Sequence, residues 1–97
     1  MVIERAELPI TPGREREFEA QFVDARRYLL EAEGCRNVSL ARGVESPAKY
    51  LLLIEWDSLE AHRAFTRTPG FEQFRSLAGP FFAGRPNTEH FLPLGGL

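Results

Sequence analysis

One tract, Lys49-Tyr-Leu-Leu-Leu-Ile-Glu-Trp-Asp-Ser-Leu-Glu-Ala-His62, constrains the fold of this chain more than any other. It reads as a β-strand running directly into a capped helix. Strand side chains alternate with period two, so Tyr50, Leu52, Ile54 and Trp56 share one face and Leu51, Leu53 and Glu55 the other. Both faces are apolar. Helices of the same chain can cover one of them, and in so short a chain a second copy of the molecule is the expected cover for the other. Which face meets the helices is left open by the pattern.

The remaining elements fall around this strand. Val2 to Leu8 predicts a first strand, made polar by Glu4, Arg5 and Glu7, and Pro9, Pro12 and Gly13 break it. Thr11 is positioned to cap a helix beginning at Pro12. Phe18, Phe22, Ala25, Leu29 and Ala32 form its apolar stripe, and Gly34 is the expected C-terminal cap. Cys35 to Gly43 predicts a second strand, with Val38 and Leu40 on one face. A hairpin turn containing Ser46-Pro47 leads to the third strand. Asp57 or Ser58 caps the next helix, Thr68-Pro69-Gly70 interrupts it, and Phe71, Phe74 and Leu77 resume it. Asn87 to Leu92 predicts a short final strand, and Gly95-Gly96 a loose tail. The order β-α-β-β-α-β is that of an α+β, ferredoxin-like fold, a four-stranded antiparallel sheet with both helices on one face.

With 97 residues, the whole chain (1–97) is expected to form one domain. Roughly two-thirds of its unfolded surface would be buried on folding. A net charge of -2, with no basic cluster beyond Arg26-Arg27, argues against nucleic-acid binding. No apolar run is long enough to span a bilayer and no signal-like segment opens the chain, so no membrane association and a cytoplasmic location are expected. Cys35 is the only cysteine and reads as a small apolar strand residue, not a reactive thiol.

Few residues carry chemistry. His62 and His90 have no metal-binding spacing, and Glu89 points to the sheet face opposite His90, so no metal site is expected. No serine lies in a nucleophile elbow, and no glycine-rich phosphate loop occurs. What remains is an aromatic pocket at the end of the third strand, where His62, Phe65, Phe74 and Arg75 can reach back over Trp56. Tyr50 and Leu52 share the Trp56 face and join it, with Phe65 and Phe74, as candidate substrate-binding residues. Each also has a purely structural reading: Trp56 as core, His62 as a half-exposed helix residue, Arg75 as a snorkelling cation, His90 as a strand residue at a dimer seam. As a group they suit a flat, apolar ligand.

The element order, the junction Leu53-Ile-Glu-Trp-Asp-Ser-Leu-Glu-Ala-His62, the segment Thr68-Pro-Gly-Phe-Glu-Gln-Phe74 and the closing Pro86-Asn-Thr-Glu-His-Phe91 together resemble the antibiotic biosynthesis monooxygenase family. The resemblance implies a dimeric α+β barrel in which two sheets pack face to face. It also implies a cofactor-independent oxidation of a phenolic, quinol or anthrone-like compound by dioxygen. In that reading Trp56 lines the pocket, Arg75 stabilises anionic charge, and His62 or His90 is the candidate base. Leu52 stands where quinone-forming members carry a polar amide. Haem-degrading relatives are a poorer match, since Phe74-Arg-Ser-Leu77 lacks a ligand histidine and Ala6 stands near their first-strand asparagine. A non-catalytic dimeric module binding a small aromatic ligand is the alternative.

Overall fold

The structure is a computed structural model describing residues 1–95. Its elements are β1 (Val2–Pro9), α1 (Glu15–Leu30), β2 (Cys35–Arg42), β3 (Lys49–Trp56), α2 (Leu59–Phe65), α3 (Pro69–Ala78), a 3-10 turn (Gly79–Phe81) and β4 (Asn87–Phe91). The four strands form one antiparallel sheet in the order β2-β3-β1-β4. This is the ferredoxin-like α+β arrangement, with the second helix divided in two. Of the expected Gly95-Gly96 tail, Gly96 lies outside the described residues.

The two faces of β3 are resolved. Tyr50, Leu52, Ile54 and Trp56 are all buried and face the helices, joined from β1 by Ala6 and Leu8 and from β2 by Val38. α1 lays Phe18, Phe22, Ala25 and Leu29 on this layer. Each large apolar side chain so buried contributes about 1.5–3 kcal/mol. The opposite face carries Ile3, Leu51, Leu53 and Phe91 among charged residues, and there Leu53 and Phe91 stay exposed. β4 is exposed along all five residues.

Local chemistry moved several boundaries. α1 begins at Glu15 and not at Pro12, because Thr11 to Arg14 closes a turn first: the Arg14 N–H donates to the Thr11 carbonyl (3.0 Å) and Gly13 adopts φ +92°. The Thr11 hydroxyl is engaged elsewhere, donating to the Phe81 carbonyl (3.1 Å). At its other end α1 stops at Leu30, and Gly34 (φ +84°) turns the chain into β2 instead of capping the helix directly. Ser58, not Asp57, caps α2; Asp57 instead pairs with Arg36. Thr68 caps α3 with Pro69 in its first turn, which is why the helical stretch splits there. Cys35 is half-buried beside a β-bulge.

Candidate functional site

The inward positions of β1 are Glu4, Ala6 and Leu8, so one charged side chain is set among apolar ones. Glu4 is only 6% exposed. A buried carboxylate is costly without partners, and two aromatic rings supply them. Trp56, fully enclosed at the end of β3, donates its Nε1–H to Glu4 Oε1 at 2.9 Å. His62 Nε2 lies 3.3 Å from the same oxygen. The indole and imidazole are stacked, with centroids 5.2 Å apart and planes inclined by 16°.

The placement of His62 follows from how α2 is anchored. The Ser58 hydroxyl accepts from the Ala61 N–H (3.1 Å), fixing the first turn. The Asp57 N–H donates to the Gly34 carbonyl (2.7 Å), docking that turn on the end of α1. A Cβ at Gly34 would lie 2.7 Å from the Ala61 Cβ, so glycine is needed for the approach as well as for its positive φ. His62 then projects over Trp56 one turn along.

The fourth member comes from the sheet edge. β1 and β4 pair Glu4 with His90, on the same sheet face. The His90 Nε2 is 2.7 Å from His62 Nδ1, a hydrogen bond between imidazoles. Burial raises the Glu4 pKa, against the pull of the Trp56 hydrogen bond and of His90. Burial lowers the His62 pKa, and Arg63 adds to it. Burial and His62 lower that of His90, opposed by Glu4. Glu4, His62 and His90 thus form a connected series from the protein interior to its surface.

Of the residues singled out in the sequence, Trp56, His62, Phe65 and His90 are brought together; Phe65 packs on Trp56 at 5.6 Å. The others are placed elsewhere. Tyr50 lies at the far end of β3, edge-on to Phe18 (4.9 Å), with its hydroxyl donating to Glu19 (2.5 Å). Leu52 is core, opposite Ala6. Phe74 packs edge-to-face on Phe22. Arg75 is exposed, its guanidinium 5.7 Å above the Phe71 ring, which packs on Phe65 and so is two rings removed from Trp56. Nor is Trp56 an open wall, because His62 covers it. His90 pairs within its own chain. Glu4 was missed, though its phase with Ala6 and Leu8 marks it as inward-facing.

A groove of about 630 Å³ between the end of α1 and α2 reaches Phe65 but not Trp56, His62 or His90. Among the described residues no group of three or more His, Cys, Asp or Glu side chains is arranged to hold a metal ion, and no helix is long and apolar enough to cross a membrane.

Residues 1–77 match the family model of the antibiotic biosynthesis monooxygenases. The uncharacterized protein YczJ of Bacillus subtilis (strain 168) is 37% identical over 92 residues, 94% of this chain and 97% of its own. A crystal structure from Bordetella bronchiseptica, of a protein grouped with the same monooxygenases, superposes with a TM-score of 0.92 at 34% identity and covers 96% of each chain. The fold is shared, at 19% identity and a TM-score of 0.82, with a mutant form of SnoaB, a cofactor-independent oxygenase from Streptomyces nogalater; 99% of this chain and 95% of that one are covered. The chain belongs to the antibiotic biosynthesis monooxygenase family.

Proposed function

We propose that this protein is a cofactor-independent monooxygenase acting on a small phenolic, quinol or anthrone-like compound. The observation that carries the reading is the exposed His90, hydrogen-bonded to a histidine that is itself stacked on a buried tryptophan. Such an arrangement holds an exposed imidazole in place at the protein surface, with Nδ1 of His90 the ring nitrogen left for a ligand. A phenol bound there loses its proton to His90, which burial keeps neutral and so able to accept one at neutral pH. The phenolate then passes one electron to dioxygen. Radical and superoxide combine to a peroxide anion, which takes back the proton from His90 to become a hydroperoxide. Loss of water from that carbon, which bears a hydrogen, leaves a carbonyl, so dioxygen supplies one atom to product and one to water. The shared fold with SnoaB supports chemistry without a cofactor.

A second copy of the chain is proposed to cover the open sheet face, where Ile3, Leu51, Leu53 and Phe91 supply the apolar contact. Sedimentation showing a stable monomer at micromolar concentration would exclude it. The groove that reaches Phe65 but neither His62 nor His90 favours a second reading, a module that binds a flat ligand without turning it over.

Dioxygen uptake by the metal-free protein, over a panel of anthrones and naphthoquinols, decides between the two. Uptake above autoxidation that is lost in His90→Ala supports the enzyme. Binding without uptake supports the module.

A further inference from the structure

We propose that Glu4, His62 and His90 form a proton relay, with Glu4 the positioning residue at its buried end. The proton-transfer role rests on the reading of His90 as the base; the arrangement itself does not. Trp56 alone does not account for a carboxylate at position 4, since a neutral amide oxygen would accept its N–H equally well without the penalty of a buried charge. What a carboxylate adds is the capacity to orient and to take up protons.

The proton count around the series is restrictive. Glu4 Oε1 lies 2.9 Å from Trp56 Nε1 and 3.3 Å from His62 Nε2. With Glu4 ionised, His62 holds its proton on Nε2, facing the carboxylate, and Nδ1 carries a lone pair. The 2.7 Å contact then requires His90 to hold its proton on Nε2. Its Nδ1 is left as the basic atom. The accepting oxygen of Glu4 therefore sets the tautomer of a histidine two groups away, and the stack on Trp56 keeps the intervening ring from turning.

The transfer is balanced. A ligand O–H bond breaks and an N–H bond forms at His90 Nδ1. The His90 Nε2 proton passes to His62 Nδ1, and the His62 Nε2 proton passes to Glu4 Oε1. One proton enters, the buried carboxylate becomes neutral, and the negative charge appears on the ligand. The other charges acting on the histidines are few: Arg63 on α2 acts on both, while Arg5 and Glu89 pair with each other (3.3 Å) on the opposite sheet face.

Long-range proton–nitrogen NMR of the imidazoles in the free protein, from about pH 5 to about pH 8, tests this without any turnover. Wild-type protein is expected to show both neutral histidines as the Nε2–H tautomer. In Glu4→Gln the amide oxygen still accepts from Trp56 and His62, so the tautomer is kept, but with the carboxylate charge gone the His90 midpoint falls by about half a unit or more. Unchanged midpoints in a folded Glu4→Gln protein would overturn the relay. Trp56→Phe gives an independent check. Persistence of both Nε2–H tautomers there supports the relay, whereas their loss with the phenyl ring still stacked on His62 overturns it. A wild-type protein that consumes no dioxygen would end the enzymatic reading and leave these spectra as they are.

Discussion

His62 Nδ1 and His90 Nε2 meet at 2.7 Å, although the two residues lie on different layers of the fold, one on α2 and one on the edge strand β4. Only one proton fits between two such nitrogens, so the tautomer of one ring is tied to that of the other. Burial lowers both pKa values from 6.5, with Arg63 adding to the fall for His62 and His62 adding to it for His90. Activity that needs His90 as a base is expected to fall on the acid side with a midpoint below 6.5, read from the pH dependence of kcat/KM. The same shifts act on folding: stability from the neutral pair is present above pH 6.5 and is lost as pH falls through the lowered values. A melting temperature that holds constant down through that range would contradict this.

Glu4 has the opposite sign. Its pKa is raised above 4.5, so the stability it contributes is present below that value and is lost as pH rises through the folded one. At neutral pH burial of this carboxyl therefore weighs against the fold. Glu4→Gln is therefore expected to melt at or above the wild-type temperature at pH 7, with the difference narrowing below about pH 4.5. A clear loss of stability in this variant at pH 7 would show that the carboxylate is held for the fold.

Tyr50 governs the alkaline limit. Burial and the Glu19 carboxylate hold its hydroxyl protonated, pushing its pKa from 10.0 up to about 12. Its contribution is full below pH 10 and disappears as pH approaches 12. Tyr50→Phe costs about 1 kcal/mol at neutral pH through the lost hydrogen bond. It also flattens the alkaline decline, which thermal melts across that window would reveal.

Gly34→Ala meets two obstacles at once, a left-handed backbone and the Ala61 Cβ at 2.7 Å. A loss of about 2 kcal/mol is expected from denaturant unfolding. Because α2 must retreat, His62 should also leave its stack with Trp56, visible as a change in its ring shifts.

The legible parts of this molecule were those written locally. The alternation from Tyr50 to Trp56, the cap at Asp57 or Ser58 and the Phe18–Leu29 stripe each carry their own instruction, and the order of strands and helices along the chain follows from them. Misreadings arose where two local rules compete. Pro12 suits a helix start, yet Thr11 and Gly13 favour a turn, and the turn prevails. Arg75 follows Phe74 in sequence, but neighbouring helix positions are about 100° apart, so one is buried and the other faces water. The His62–His90 contact spans 28 residues and depends on the β1–β4 register, which no short pattern encodes. Glu4 was available from period-two phase alone, but a strand rich in charge concealed which charge faced inward.

β3 separates two kinds of work along its length. Tyr50 and Trp56 occupy the same face six positions apart, about 20 Å along an extended strand. One end is fastened by Phe18 and Glu19, the other by Glu4 and His62. Substitutions at that separation, with no shared partner, combine additively in free energy. The protein can therefore be hardened from the tyrosine end by directed evolution while its histidine end is retuned for a new ligand.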